Sequence, residues 1–291
     1  KWRNAAETAA QAVSLARDQK DDLSLMNCLL PLQLARTNLD EYQSVLKICQ
    51  EMEQLATQVQ HPRYTALALI GQGVARLRMG ESARAAAVLQ RALQQVELGY
   101  VPEAVTRSLA ALAALQMGQQ TRALEYADAT MQAVKHVNWA IAELRYALSC
   151  ALDVYLASED LPRHQEVEEA LARLRKIARR FPFAEPNAAL YLARYAWRLG
   201  HHESAAALFR RSLRGTVIHG SRFEQAWTRC WAGCFLTQVG NKNQRRLGEA
   251  YLRAALSTFT ELGNVWDADQ ARAYLTKVGV SRPPNRMGSL N

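Results

Sequence analysis

A turn signal that returns about every forty residues constrains this chain more than any other feature. Gly80, Gly118, Gly200 and Gly240 each close an apolar run and precede a second one. Two breaks without glycine, Thr37-Asn38 and Ser158-Glu159-Asp160, fill the gaps in the series. The turns then fall near residues 38, 80, 118, 159, 200 and 240, and Pro62 and Pro102 repeat on the same beat. A fixed period of this size marks a stacked repeat architecture, in which each unit buries its apolar face against its neighbours.

Apolar residues recur at three- and four-residue spacing on both sides of each turn, which is the period of an amphipathic helix. Alanine and leucine dominate, β-branched residues are sparse, and nothing reads as a strand, so the chain is all-α. Seven residues before the turns stand small side chains: Gly73, Ala111, Ala151, Ala193 and Gly233. Small residues there let two antiparallel helices approach closely. The second helix of each unit answers with Ala85, Leu89 and Ala92, with Ala123, Ala127 and Thr130, and with Ala205, Phe209 and Ser212. After Gly240 the same spacing falls on Ala250, Ala254 and Ser257, with Asn241-Lys242-Asn243-Gln244-Arg245 read as an insert. The pattern predicts helices over 138–157, 201–214, 221–239 and 246–262, among others.

These spacings resemble the tetratricopeptide repeat: a small residue, a turn glycine, then alanine, a large residue and a small one. With a unit nearer forty residues, the chain is similar to the MalT-like helical repeats of large bacterial signalling ATPases, transcription activators and cyclases. The run Leu247-Gly248-Glu249-Ala250 to Phe259-Thr260-Glu261-Leu262-Gly263 and Trp266 is similar to the segment that ends the repeat region in those proteins. The resemblance covers roughly residues 22–278 and departs at the first unit, where Pro31 sits inside the expected helix. It implies a right-handed α-solenoid of antiparallel helix pairs over residues 1–278, followed by a linker or frayed tail at 279–291. It also implies a non-catalytic sensor or partner-docking region of a larger cytoplasmic bacterial regulator, working in signal transduction or transcription control.

Little in the sequence argues for chemistry. There is no GxxxxGK[ST] and no GxGxxG to cradle a phosphate, no HExxH, and no GxSxG to present a nucleophile. We expect no cofactor, no metal and no enzyme. His201-His202-Glu203 follows the Gly200 turn and reads as a solvated helix start. Cys230 and Cys234 share a helix face at i, i+4 but lack a second ligand pair, so they read as small core residues. Five cysteines without framework spacing suit a reduced, intracellular setting. No apolar stretch has the length of a membrane span, so no membrane contact is expected. Lys1 in place of an initiator methionine reads as an internal start.

Charge is the strongest remaining signal. Of the net +9, residues 1–146 carry 15 Lys/Arg against 14 Asp/Glu, whereas residues 173–253 carry 16 against 4. Arg175, Arg179, Arg180, Arg210, Arg211 and Arg214 occupy like positions in successive second helices and predict a basic stripe. Such a stripe fits an acidic partner surface or a nucleic acid backbone.

The inward-facing positions of the tetratricopeptide family, carried across, select Arg145, Tyr155, Asn187, Leu190, Arg194, Trp197, Arg198 and Trp227. Arginine with aromatic residues is the composition of a binding hot spot. The expected partner is a protein or peptide, or a small ligand, with nucleic acid as the alternative. Reversing the charge of Arg194 and Arg198 is expected to leave folding intact.

Overall fold

The structure, a computed structural model, describes residues 2–95, 99–137, 141–157 and 163–277. The break expected at Ser158-Glu159-Asp160 and the tail at 279–291 lie outside them. The described residues are helical with no strand. Helix α1 (Trp2–Asp18) leads into pairs formed by α2 (Asp22–Asn38) with α3 (Tyr42–Gln58), α4 (Pro62–Arg78) with α5 (Ser82–Leu93), and α6 (Tyr100–Gln116) with α7 (Gln120–Lys135). Then come α8 (Leu144–Ala157) with α9 (His164–Arg180), α10 (Glu185–Arg198) with α11 (His202–His219), and α12 (Arg222–Val239) with α13 (Lys242–Glu261). Helix α14 (Val265–Lys277) closes the array. The result is an α-solenoid of helix pairs.

The turns share one backbone device. After α4, Gly80 takes a left-handed φ of 74° and the Glu81 N–H reaches back to the Arg76 carbonyl at 2.8 Å. This six-to-one closure satisfies carbonyls that a helix end would otherwise leave unpaired. Gly118, Gly200 and Gly263 repeat it. So do Lys20, Asp40 and Gln60, which adopt the same left-handed backbone without being glycine. Side chains rarely tolerate that region, so these turns are invisible to a search for glycine.

Within pairs, the small residues do what their spacing predicts. Ala111, Ala151 and Ala193 are fully buried. A Cβ at Gly73 would stand 2.5 Å from Leu89 Cδ2, and one at Gly233 would stand 2.8 Å from the Gly248 carbonyl oxygen. The answering residues Ala85, Leu89, Ala123, Ala127, Ala205 and Phe209 form the core between the helices. That core passes along the array as a succession of clusters, from Met26 and Met52 near one end to Cys230, Leu252 and Phe259 near the other.

The last pair corrects the sequence reading. Gly240 is extended (φ −77°, ψ 157°), and Asn241 caps α13 by accepting from the Asn243 and Gln244 N–H groups. The Gln244 side chain returns a bond to the Asn241 N–H at 2.8 Å, completing a capping box. The supposed insert is therefore the first turn of α13, and the helix faces core with Gly248, Leu252, Ala255 and Phe259. Ala250 and Ser257 are exposed and Ala254 only half-buried. Helix α11 also outruns the expected 201–214, since Gly215 packs against Pro186 and keeps the helix seated to His219.

The superhelix closes on itself. The Phe223 N–H donates to Asp40 Oδ2 at 3.2 Å, and the Arg78 guanidinium lies 3.7 Å above the centre of the Phe223 ring. Gly80 abuts the start of α14, where an added Cβ would stand 3.3 Å from Val265 N. The turns after α2 and α4 thus meet the first turns of α12 and α14.

Candidate functional site: a cavity inside the superhelix

Closure bounds a partly open cavity of about 1040 Å³, lined by α4, α6, α8, α10, α12 and α14. These are the first helices of successive units, with α14 continuing the series. The lining repeats by register: Arg78, Gln116, Arg198 and Gln238 all face it, each two residues before a turn glycine. One helical face per unit is therefore spent on the interior.

Two buried ion pairs brace the wall. Arg145 Nη1 donates to Glu224 Oε1 at 2.8 Å, tying α8 to α12, and its guanidinium rests over Tyr146 and Phe183 at 4.7 and 5.3 Å. Burial works to lower the Arg145 pKa, but the Glu224 carboxylate and the Tyr146 hydroxyl together outweigh it and hold the guanidinium above its ordinary value. Arg194 pairs with Asp153 Oδ1, while Asp153 Oδ2 accepts from the Tyr191 hydroxyl at 2.9 Å. The Arg194 guanidinium stacks 3.9 Å from the centre of Trp231. Burial pushes the Tyr191 hydroxyl well above its usual value, so it stays a neutral donor.

Aromatic rings supply the rest. Trp227 lies flat against Phe223 (6.2 Å between centroids) and edge-on to Trp231 (5.7 Å). Trp197 stands edge-on to Phe235 at 5.6 Å. A third carboxyl, Asp267 on α14, accepts from the Asn264 side chain at 2.5 Å. Burial pushes its pKa up to about 7, against the pull of nearby Arg78.

Of the residues expected to face inward, Arg145, Asn187, Arg194, Trp197, Arg198 and Trp227 do line this cavity. Asn187 Oδ1 accepts from Ser149 Oγ at 2.7 Å, and Arg198 is exposed. Tyr155 and Leu190 do not join them: both are buried in the core, and Tyr155 donates to Asp128 Oδ1 at 3.0 Å. The expectation that Arg194 could be reversed harmlessly is also overturned. Its side chain is only 3% exposed and neutralises a buried carboxylate.

None of the residues expected to form a basic stripe lines this cavity. Arg175, Arg179, Arg180, Arg210, Arg211 and Arg214 are exposed on α9 and α11. Arg211 pairs with Glu185, and no carboxylate among the described residues pairs with the other five. Cys230 and Cys234 are buried, as their small-residue reading predicts. Sequence reasoning missed Arg78, Asp153, Glu224, Trp231 and Asp267. Arg78 was within reach, because it shares the register of Arg198 before its turn. Among the described residues, no helix is long and apolar enough to cross a membrane.

Neither a protein-family model nor a curated protein sequence matches this chain. Among solved structures it is similar to a Signal Transduction ATPase with Numerous Domains (STAND) protein with a tetratricopeptide repeat sensor from Pyrococcus horikoshii. That match has 17% identity and a TM-score of 0.51, and covers 92% of this chain and 42% of that one. Weaker likenesses are to the apo form of RapI, at 12% identity, TM-score 0.45 and coverage of 96% and 95%, and to the TPR2AB domain of yeast Sti1 in its pHSP90 complex. The latter match has 11% identity and a TM-score of 0.33, covering 88% and 99%. The chain spans less than half the length of the Pyrococcus protein, and at this identity the two share a fold: a tetratricopeptide-like helical repeat.

Proposed function

We propose that this repeat is a non-catalytic docking or sensor region of a larger cytoplasmic bacterial regulator, and that it takes a peptide or small ligand into the cavity. One observation carries the reading. Six of the eight residues carried over from the tetratricopeptide inner face meet on the wall of one cavity, with aromatic surface between charged anchors. Ligand sites are concave, mostly apolar, and oriented by a few placed polar groups. Binding would act on the closure between the array's first and last turns, and so on whatever module is attached. The test is a thermal-shift screen of short peptides and metabolites on wild-type protein, Trp227→Ala and Arg198→Glu. Ligands that stabilise wild type and lose that effect in both variants support the cavity; ligands indifferent to both overturn it.

A second reading has its own observation. Five exposed arginines without carboxylate partners among the described residues line α9 and α11, which suits a nucleic acid backbone. Binding of single- and double-stranded oligonucleotides at two salt concentrations separates the readings. Tight, salt-sensitive binding lost in Arg210→Glu with Arg211→Glu would favour the stripe.

A further inference from the structure

Arg78 ends α4 at the place where the two ends of the superhelix meet. Its guanidinium is stacked on Phe223 at 3.7 Å, and it forms no hydrogen bond or ion pair with any described residue. A guanidinium stacked by its face keeps its N–H groups free along its edge, where a planar anion can be held by two parallel bonds. The cavity's other carboxylates are taken: Glu224 by Arg145 and Asp153 by Arg194. What faces Arg78 from α14 is Asp267, a carboxyl engaged by its own helix cap and so buried that it ionises only near pH 7. The cation therefore looks into the cavity with Asp267 and Asp40 close enough to favour its charge but with neither bonded to it.

The wall as a whole is short of acceptors. Its unmet buried groups are Arg145 Nε, Arg194 Nε and Trp231 Nε1, and all three are donors. Beside Arg78 the surface is aromatic, with Phe223, Trp227 and Trp266 lining the same space. A donor-rich, cationic wall next to aromatic faces selects an acceptor-rich ligand with a flat apolar body.

We propose that Arg78 anchors the anionic group, carboxylate or phosphate, of a ligand whose aromatic or apolar body lies against Trp227 and Trp266. The proposal rests on the reading of the cavity as a ligand site. Because Arg78 and Phe223 belong to opposite ends of the array, the same anion would reinforce their closure.

Calorimetric titration with three matched probes tests it: 1-naphthylacetate, 1-naphthyl phosphate and the neutral 1-naphthylacetamide. Wild-type protein should bind the two anions at least about tenfold more tightly than the amide, a charge-assisted forked contact being strong enough for that. Inorganic phosphate should compete with the anions and leave the amide alone, a result that needs no substitution. Arg78→Met should remove the preference for the anions, and Arg78→Lys, which keeps the charge and loses the fork, should retain part of it. Equal binding of acid and amide, no effect of Arg78→Met, or no binding by any probe overturns the proposal. Equal binding that is lost in Trp227→Ala would overturn the anion anchor while leaving the cavity reading in place. Binding indifferent to Trp227→Ala would remove the cavity reading as well.

Discussion

The backbone N–H of Phe223 donates to the carboxylate of Asp40 across 183 positions of sequence, at 3.2 Å. Asp40 is also the left-handed residue that closes the turn after α2. One residue thus ends a helix in the first unit with its backbone and receives the first turn of α12 with its side chain. Burial pushes its carboxyl above the usual range, with the bonds from Tyr42 and Phe223 opposing the shift. A helix terminus is a good place for such a contact, because its first N–H groups have no partner within the helix.

The seam should behave as a coupled unit. Arg78→Ala and Phe223→Ala each remove one half of a shielded cation–ring contact, worth up to about 2 kcal/mol when desolvated. A double-mutant cycle in urea should return a coupling of about 1–2 kcal/mol, and small-angle scattering should show either single variant expanded relative to wild type. Additive effects with unchanged dimensions would mean that the seam contributes nothing.

Gly233→Leu should destabilise strongly. A Cβ there meets the Gly248 carbonyl oxygen and Leu252 Cγ, both at 2.8 Å, and a backbone oxygen cannot step aside. Overpacking typically costs about 1–3 kcal/mol and occasionally more, and in a chain of this size each kcal/mol lowers the melting temperature by roughly 2–4 °C. A melting temperature within about a degree of wild type would show that α12 and α13 do not pack this closely.

Arg194→Met should be among the most damaging single changes, since it strands Asp153 in a buried setting; removing one partner of such a pair costs about 3–5 kcal/mol. Arg194→Met combined with Asp153→Leu should recover much of that loss. If the double variant melts lower than the single, the pair is not what makes Arg194 sensitive.

Asp267 gives the fold a pH dependence. It faces Arg78 from α4 and Asp153 from α8, and bonds to Asn264 on its own chain segment. Its folded pKa of about 7 stands above the ordinary 3.8. A carboxyl raised in this way favours the folded state fully below the unfolded value, and that contribution is lost as pH rises through the folded one. The stability difference between wild type and Asp267→Asn should therefore fall between about pH 4 and 7 and level off above. A difference that stays constant over that window would place the carboxyl in solvent.

The repeat was legible because its signals are local. Gly80, Gly118 and Gly200 mark turns that need a left-handed residue, and Gly73 and Gly233 mark close approaches, all at fixed spacing. Where a non-glycine residue fills the same turn, as Gln60 does, the signal vanishes although the geometry persists. The last unit was misread for a related reason. Alanine repeats on more than one face of α13, so spacing alone could not choose the buried face, whereas the Asn241–Gln244 capping box could have fixed where the helix starts. The site was legible only in part. Position in the unit identifies which face turns inward, and so found Arg194 and Trp227. It says nothing of how units far apart in sequence come together, which is what places Arg78 on Phe223 and Asp267 near Arg78.

An open solenoid can lose its terminal units one at a time, each release breaking a single interface. Joining the turns after α2 and α4 to α12 and α14 removes that route. Between α2 and α14 no unit can be released without also breaking the seam, so opening becomes a concerted event over most of the array. Helix α1 lies outside the loop so formed and remains the one terminal helix free to detach alone. Its amides should exchange with solvent well before those of α14, giving an asymmetry between two ends that a linear stack of like units would not have.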